Sequence, residues 1–521
     1  MLIRSALGAA DKRRIQAMLF ANNGGSGLRQ ALLDGAPFLA ELTHSLVLAR
    51  GTGSPTFTRA STATFTDWEG VLRTVPSGCA RFEGARMVRN YIPNENFSTG
   101  WTPLNISVTG SVADPEGGTT AYTATATAGN GELYVTTGVS MGVARLGSIY
   151  IRRRTGSGAI QFSTDGSVFT TLAVTTAWQR LSAALGTSVQ NGRLDLKIVT
   201  SGDAVDIWHP QLEDVTGQAD QTASEYVSVG VESAPAYHGS MVDGVKCYDT
   251  DRSGNPISTT GSYPIVGYVP WEARTNLLLQ SAVVATQSIT VAAVAHTLSF
   301  KGTGTITLSG VSAAGPLVGT GANDRVTLTF TPTAGSLTLT VSGSCTVGQL
   351  EAGSFATPYI PTTTVAVARN ADVDQYPTTA GPIAAAGSIA LDFTPYHAPS
   401  GTIALWGTYV DASNYTAILH DATNLIFRKR IAGSNYDATI ANAFVSGTTC
   451  KIAATWGAAG TAIYLDGVAG TPHANTTAAQ IAATMQVGAD GNSLQQPGAG
   501  TTNLRIWQRQ LSSPEGVAVT A

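Results

Sequence analysis

Gln211-Leu212-Glu213 and Gln349-Leu350-Glu351 repeat one triplet at two places in the chain, each closing a long stretch rich in Thr, Gly and Ser. A tyrosine in an extended segment follows each copy, in Ser224-Glu225-Tyr226-Val227 and in Thr357-Pro358-Tyr359-Ile360. Upstream, an Ala-Arg pair ahead of Asn and an apolar residue also recurs, as Ala85-Arg86 before Asn90-Tyr91 and Ala273-Arg274 before Asn276-Leu277. A chain built this way is modular, because duplication lengthens a rod or multiplies contacts and does not assemble one active site.

The patterning between the landmarks is that of strands. Thr56-Phe57-Thr58 and Thr62-Ala63-Thr64-Phe65-Thr66 alternate, and a turn at Asp67-Trp68-Glu69-Gly70 leads into Val71-Leu72-Arg73-Thr74, which reads as a hairpin. Short strands then recur at sandwich spacing through Trp101 to Val215, and again from Ser288 to Glu351. Only 12% of residues are charged, against roughly 25% in ordinary globular chains, while Thr and Gly suit strands and tight turns. With 43% hydrophobic residues the chain is too apolar to remain disordered. The expected fold is all-β, and 521 residues exceed one core.

Helical character is confined to residues 1–48. Ala9 to Leu19 carries strong helix formers, a Gly-rich break spans Asn22 to Gly27, and Leu28 to Leu48 has apolar residues three and four apart. This segment is expected to dock onto a partner assembly or the neighbouring β-domain. The expected divisions are 1–48 as a helical attachment segment, 49–230 as a first β-module, 231–376 as a second and shorter one, and 377–521 as a final sandwich after the low-complexity joint Pro377 to Gly387.

A net charge of −4 offers no electrostatic footprint for nucleic acid. The basic runs Arg152-Arg153-Arg154 and Arg428-Lys429-Arg430 read as solvated strand edges. Cys79, Cys247, Cys345 and Cys450 are too scattered for a zinc site or a disulfide framework and read as buried free thiols. The N-terminus lacks a signal-peptide pattern, and no window reaches about 18 consecutive apolar residues, so synthesis in a cytoplasm without membrane insertion is expected.

Three stretches together resemble a module common in tailed-bacteriophage virion proteins. They are Ser54-Pro55-Thr56-Phe57-Thr58-Arg59-Ala60-Ser61-Thr62-Ala63-Thr64-Phe65-Thr66-Asp67 with Gly70-Val71, Glu272-Ala273-Arg274-Thr275-Asn276-Leu277-Leu278, and Gln349-Leu350-Glu351-Ala352-Gly353 with Thr357-Pro358-Tyr359-Ile360-Pro361-Thr362. That module wraps a jelly roll like those of carbohydrate-binding modules. From about residue 375, Lys451 to Trp456, Ala462 to Gly467, Gln486-Val487-Gly488 and Leu504 to Trp507 are similar to the recurrent strands of laminin-G and concanavalin A-like sandwiches. The first copy departs from the pattern, since Met87-Val88-Arg89 separate Arg86 from Asn90.

The resemblance implies tandem jelly rolls, a C-terminal concanavalin A-like sandwich, and a tail fibre, spike or other appendage that recognises host surface glycan. It implies attachment to other virion proteins through the N-terminal segment and a homotrimer by analogy with fibres. A capsid-surface decoration or head-fibre protein is the alternative, and a polysaccharide depolymerase the second.

Catalytic signatures are thin. Glycoside hydrolysis uses two facing carboxyl groups, yet from Gly381 to Ala521 the single glutamate is Glu515 and the aspartates are scattered. No enzyme is expected. For glycan, aromatic faces supply stacking and short polar side chains supply hydrogen bonds, which singles out Tyr409, Asp411, Asn414, Tyr415, Asn435 and Tyr436. For a metal, Asp249, Asp251 and Ser253 with Gly254 reproduce the opening of a calcium loop. The twelfth position is Thr260 where Glu is required, so a plain hairpin turn is the favoured reading, while the resemblance to sugar-binding families keeps Ca²⁺ as a candidate cofactor without an assignable ligand set.

Overall fold

The computed structural model describes residues 27–230, 236–238, 244–378, 383–397 and 401–521. The described chain is nearly all β. The helix expected over Ala9 to Leu19 and the Asn22 to Ser26 break lie outside the described residues.

Two large sheets form the central sandwich. One runs Val468–Ala469, Gly460–Leu465, Cys450–Gly457, Gly387–Pro395, Ala499–Trp507, Gly267–Tyr268 and Phe82–Glu83, with Phe38–Ala40 also paired to Ala499–Trp507. The other runs Thr56–Thr58, Val373–Pro377, Thr484–Val487, Ile403–Asp411, Asn414–His420, Asn424–Ile431 and Ser434–Ala441. Their inner faces share one core, in which Ile389, Phe393, Ile452 and Trp456 meet Leu405, Trp406, Phe427 and Met485. Trp406 and Trp456 stack with ring centroids 6.4 Å apart, so both indoles are packing groups.

Strand pairing crosses the divisions drawn at residues 48, 230 and 376. Phe38, Leu42, Leu46, Phe57, Phe65, Val75, Val245 and Tyr268 all belong to this same core. Residues 27–34 are helical, and the apolar spacing beyond them is used differently: Phe38–Ala40 is a strand. Leu28, Leu32 and Leu33 pack on Ala390, Ala453, Tyr464 and Trp507, and the Trp507 indole donates to the Leu32 carbonyl at 3.3 Å. A three-to-four spacing over a few residues satisfies a short helix and a following strand equally well, and long-range pairing decides between them.

Both jelly rolls are excursions from that sandwich, each with its own core. The first stacks a sheet ordered Thr170–Leu172, Ile160–Ser163, Arg193–Ile198, Gly131–Thr136, Thr102–Leu104 on one ordered Gln179–Leu185, Arg145–Thr155, Ala204–Asp214, Ala121–Ala126, Ile106–Val112. In the second, Gln287–Val291, Gly335–Ser342, Thr305–Gly310 and Leu317–Val318 face Gly321–Phe330, His296–Gly302 and Cys345–Ala352.

The duplicated residues are the clasps that close these excursions. Asn90 accepts the Leu212 amide at 3.2 Å and the Ile92 amide at 3.1 Å, and donates to the carbonyls of Pro210 and Val227, both at 3.0 Å. Asn276 repeats this with the Leu350 and Leu278 amides, both at 3.1 Å, and the Gly348 and Ile360 carbonyls at 3.0 and 2.8 Å. Gln211 donates to Glu213 at 3.0 Å and accepts the Val227 amide at 2.8 Å, as Gln349 donates to Glu351 at 2.6 Å and accepts the Ile360 amide at 2.7 Å. These groups are buried, so their polar atoms need partners and the whole set is retained together.

The clasp has members that the sequence comparison missed. Ser148 pairs with Gln211 and Ser299 with Gln349 in register. Arg180 donates to Ser148 Oγ at 2.9 Å, and Arg325 to Ser299 Oγ at 2.8 Å and to the Thr357 carbonyl at 2.6 Å. Their spacing from the triplets differs between the copies, which hides the correspondence in a linear reading.

The two basic runs do not lie on edge strands, although Arg154 is exposed to solvent. Arg145–Thr155 and Asn424–Ile431 lie between neighbouring strands. Arg152 pairs with Asp206 at 2.8 Å, Arg428 with Asp437 at 2.7 Å, and Lys429 is buried with its ammonium on the carbonyls of Asn475 and Thr477. Acceptors on neighbouring strands and loops pair with these cations, and they are what allow Lys429 to be buried. The four cysteines are buried and free, as expected.

Candidate glycan-binding platform

The outer face of the second large sheet carries the candidate site. Tight turns at Asp411 to Asn414, His420 to Asn424 and Ile431 to Ser434 join four strands into a meander, the last with positive φ at Ala432 (50°) and Gly433 (84°), which matches a two-residue hairpin loop. Register then places Tyr409 opposite Tyr415, Tyr415 opposite Arg430, and Arg430 opposite Asn435. Directly opposed residues share a face, so these four form a row across four strands. The tyrosine rings lie nearly parallel, 21° apart with centroids 6.1 Å apart.

A second row backs the first. Ala417 opposes Arg428, which opposes Asp437. Arg428 Nε and Nη2 bond the two Asp437 oxygens at 2.9 and 2.7 Å, and this pairing pushes the guanidinium pKa up. Beneath Tyr415, the small apolar cluster Ala404, Ala417, Leu419 and Ile426 supports the ring.

One wall comes from the 489–496 loop, for which the sequence provided no signal. Gln486 holds Ser493 through its amide at 2.8 Å and its hydroxyl at 2.9 Å, and Ala404 donates to the Gln495 carbonyl at 2.9 Å. Gly491 has φ +90°, and a Cβ there would lie 2.7 Å from the Tyr409 amide. Only glycine allows this approach.

The other sequence-predicted residues fall elsewhere. Asp411 and Asn414 stand at the hairpin tip and bond each other at 3.0 and 3.1 Å. Asp411 also accepts the Ser413 amide, and Asn414 accepts the Ala432 amide at 3.0 Å, so both brace turns at the platform's edge. Hydrogen bonds from Asn414 hold the Asp411 carboxyl below its usual value. Tyr436 follows Asn435 and points to the opposite face, edge-on to His473 at 5.4 Å. Arg428, Arg430 and Asp437 join the site through register, which only the pairing reveals.

The calcium-like segment folds as a hairpin turn. Asp251 accepts the amides of Ser253 and Asn255 at 2.8 and 2.9 Å and the Asn255 side chain at 3.0 Å, while Asp249 faces His44 at 3.3 Å. Ser253 contributes its backbone amide to this turn, and donors of this kind occupy the oxygens a cation would need. Among the described residues no cluster of three or more His, Cys, Asp or Glu side chains is placed to hold a metal.

No family model matches the chain, and no curated protein matches it. Parts of it are similar to solved β-sandwich structures. The native heptameric SAP-like pentraxin from Limulus polyphemus is 16% identical over 26% of this chain and 70% of that chain, with a TM-score of 0.21. Domain 4 of AbnA, a GH43 extracellular arabinanase from Geobacillus stearothermophilus, in complex with arabinotriose, is 14% identical over 32% of this chain and 84% of that chain, with a TM-score of 0.25. For the binding domain of Botulinum neurotoxin DC in complex with rat synaptotagmin II the values are 10%, 29%, 39% and 0.24.

Proposed function

We propose that the protein is a non-enzymatic glycan-binding component of a tailed-bacteriophage particle, a tail fibre or comparable appendage, and that host-surface polysaccharide docks on the Tyr409–Tyr415 platform. The observation that carries the binding reading is the parallel tyrosine pair on an outer sheet face, flanked by the Arg428–Asp437 pair and Asn435. Aromatic faces stack on the apolar side of a sugar ring, and planar charged and amide groups meet its hydroxyls. A shallow platform binds weakly, so display in several copies, with a homotrimer as the assembly, supplies avidity. The virion assignment rests on the sequence resemblance.

Binding is favoured over cleavage by the state of Glu515. Its carboxylate takes two bonds from Arg509 at 2.9 Å and one from the Ser512 amide at 2.8 Å, at the start of the helix Ser513–Thr520. Those bonds hold it below its usual pKa and commit it to a structural role.

A glycan array with full-length protein tests the reading. Multivalent binding should fall about tenfold in Tyr415→Ala, the equivalent of about 1.4 kcal/mol, with the melting temperature unchanged within a few degrees. Unaltered binding removes the platform from the function. Release of reducing ends from host polysaccharide favours the depolymerase, and labelled protein on capsids in electron micrographs favours the decoration role.

A further inference from the structure

A deeper cavity lies elsewhere, at the junction between the second jelly roll and the central sandwich. Its volume is about 400 Å³, within the range of small-ligand pockets of roughly 300–1,000 Å³. The sandwich contributes Glu83 and Trp271, and the jelly roll contributes Lys301 and Arg325. Trp271 lies 5.8 Å from Tyr396 and 6.4 Å from Phe355 between ring centroids, which makes one wall aromatic.

The polar groups of this cavity are not all used by the fold. Arg325 is committed to Ser299 and Thr357. Beside it, the half-buried Lys301 ammonium has no ion-pair or hydrogen-bond partner among the described residues, and burial together with Arg325 pushes its pKa down. The Trp271 indole N–H is buried without an acceptor among the described residues. Glu83 accepts one bond, from the Thr66 amide to Oε2 at 3.1 Å. Burial pushes this carboxyl up to about 7.

We propose that this junction pocket binds a carboxylated pyranose unit, with its carboxylate on Lys301, its ring against the Trp271–Tyr396 wall and its hydroxyls toward Glu83. The Arg325 donors are taken up by the Ser299 hydroxyl and the Thr357 carbonyl, which leaves the Lys301 ammonium as the cation free to meet one carboxylate, while an ionised Glu83 in the same pocket disfavours an anion of higher charge. Aromatic walls select a ring over a small inorganic anion. The site is separate from the platform and does not depend on it.

Calorimetry on the full-length protein with tetragalacturonate, maltotetraose and sodium acetate tests this. Tetragalacturonate should bind with a millimolar or tighter Kd, more tightly than the other two probes. Lys301→Gln should weaken it by at least about tenfold, Lys301→Arg should restore most of the binding, and Tyr415→Ala should leave it unchanged. Equal binding of acetate reduces the pocket to a simple anion site and overturns the proposal. So does retention of binding in Lys301→Gln, and so does the absence of saturation by tetragalacturonate. A loss confined to Tyr415→Ala moves acidic-sugar binding to the platform and also overturns it, whereas failure of the platform alone leaves the Lys301 dependence intact.

Discussion

Arg59 Nη1 lies 2.9 Å from the Asp372 carboxylate, with both side chains fully buried and 313 positions apart in the chain. Arg81 bonds the other carboxylate oxygen, which also accepts the Trp271 amide at 2.9 Å. Three distant segments therefore meet at one buried anion, and Trp271 and Asp372 itself flank the second jelly roll where it leaves and rejoins the sandwich. Burial alone would raise the Asp372 pKa, but Arg81, Arg59 and Arg369 bring it below the usual value.

Asp372→Asn should cost about 3–5 kcal/mol, because it strands two buried guanidinium groups without a counter-charge. Urea denaturation measures the loss. Since the folded carboxyl is held low, the stability it contributes is present above the ordinary carboxylate pKa and disappears as the pH falls through the folded value. An unchanged midpoint would mean that the rivet contributes nothing.

The clasps should report locally. Asn276→Ala leaves two amides and two carbonyls unpaired, a loss of about 3 kcal/mol. Amide exchange should quicken in His296–Gly302 and Cys345–Ala352 while Arg145–Thr155 keeps its protection. Asn90→Ala should reverse that pattern. Uniform loss of protection in either variant would show that the two jelly rolls do not open independently.

Glu83 should shape the pH profile. Its neighbours are the Thr66 amide, Tyr396 and the charges of Arg81, Asp372 and Arg369. The folded pKa of about 7 stands above the ordinary carboxyl value of 4.5, so the folded state holds the proton more tightly. Stability is then fully present below 4.5 and declines as the pH rises to about 7, by on the order of 3 kcal/mol. Glu83→Gln should flatten that decline in urea midpoints recorded between those two values. A slope that persists in the variant assigns the effect to another group.

Removing residues 1–48 should unfold the sandwich, contrary to what a detachable anchor implies. Phe38, Leu42 and Leu46 are at most 2% exposed, and losing three such side chains is worth on the order of 5 kcal/mol or more. Insolubility or a lost cooperative melt is the expected outcome, and an intact β-type circular dichroism spectrum with an unchanged melt would contradict it.

What the residues state locally was legible in the sequence. Strand periodicity, Gly-rich turns and the Gln-Leu-Glu duplication identify an all-β chain with two related modules, and Tyr409 and Tyr415 are visible as aromatics around a turn. The hairpin Ala63–Thr66 to Leu72–Val75 also follows from local turn chemistry, with Asp67 accepting the amides of Glu69 and Val71.

Tertiary structure alone decided which strands share a sheet. Phe57 pairs with Asp374, and Asp374 with Val487, so linear boundaries at 230 and 376 do not follow the sheets. It also decided that Tyr436 faces away from Asn435's row, that Arg428 and Asp437 join the platform, and that Arg180 corresponds to Arg325. The physical reason is range. Turn geometry and alternation act over a few residues and are encoded where they act, whereas register, burial of charge and pairing across hundreds of residues depend on which partner is brought alongside, and no single segment contains that information.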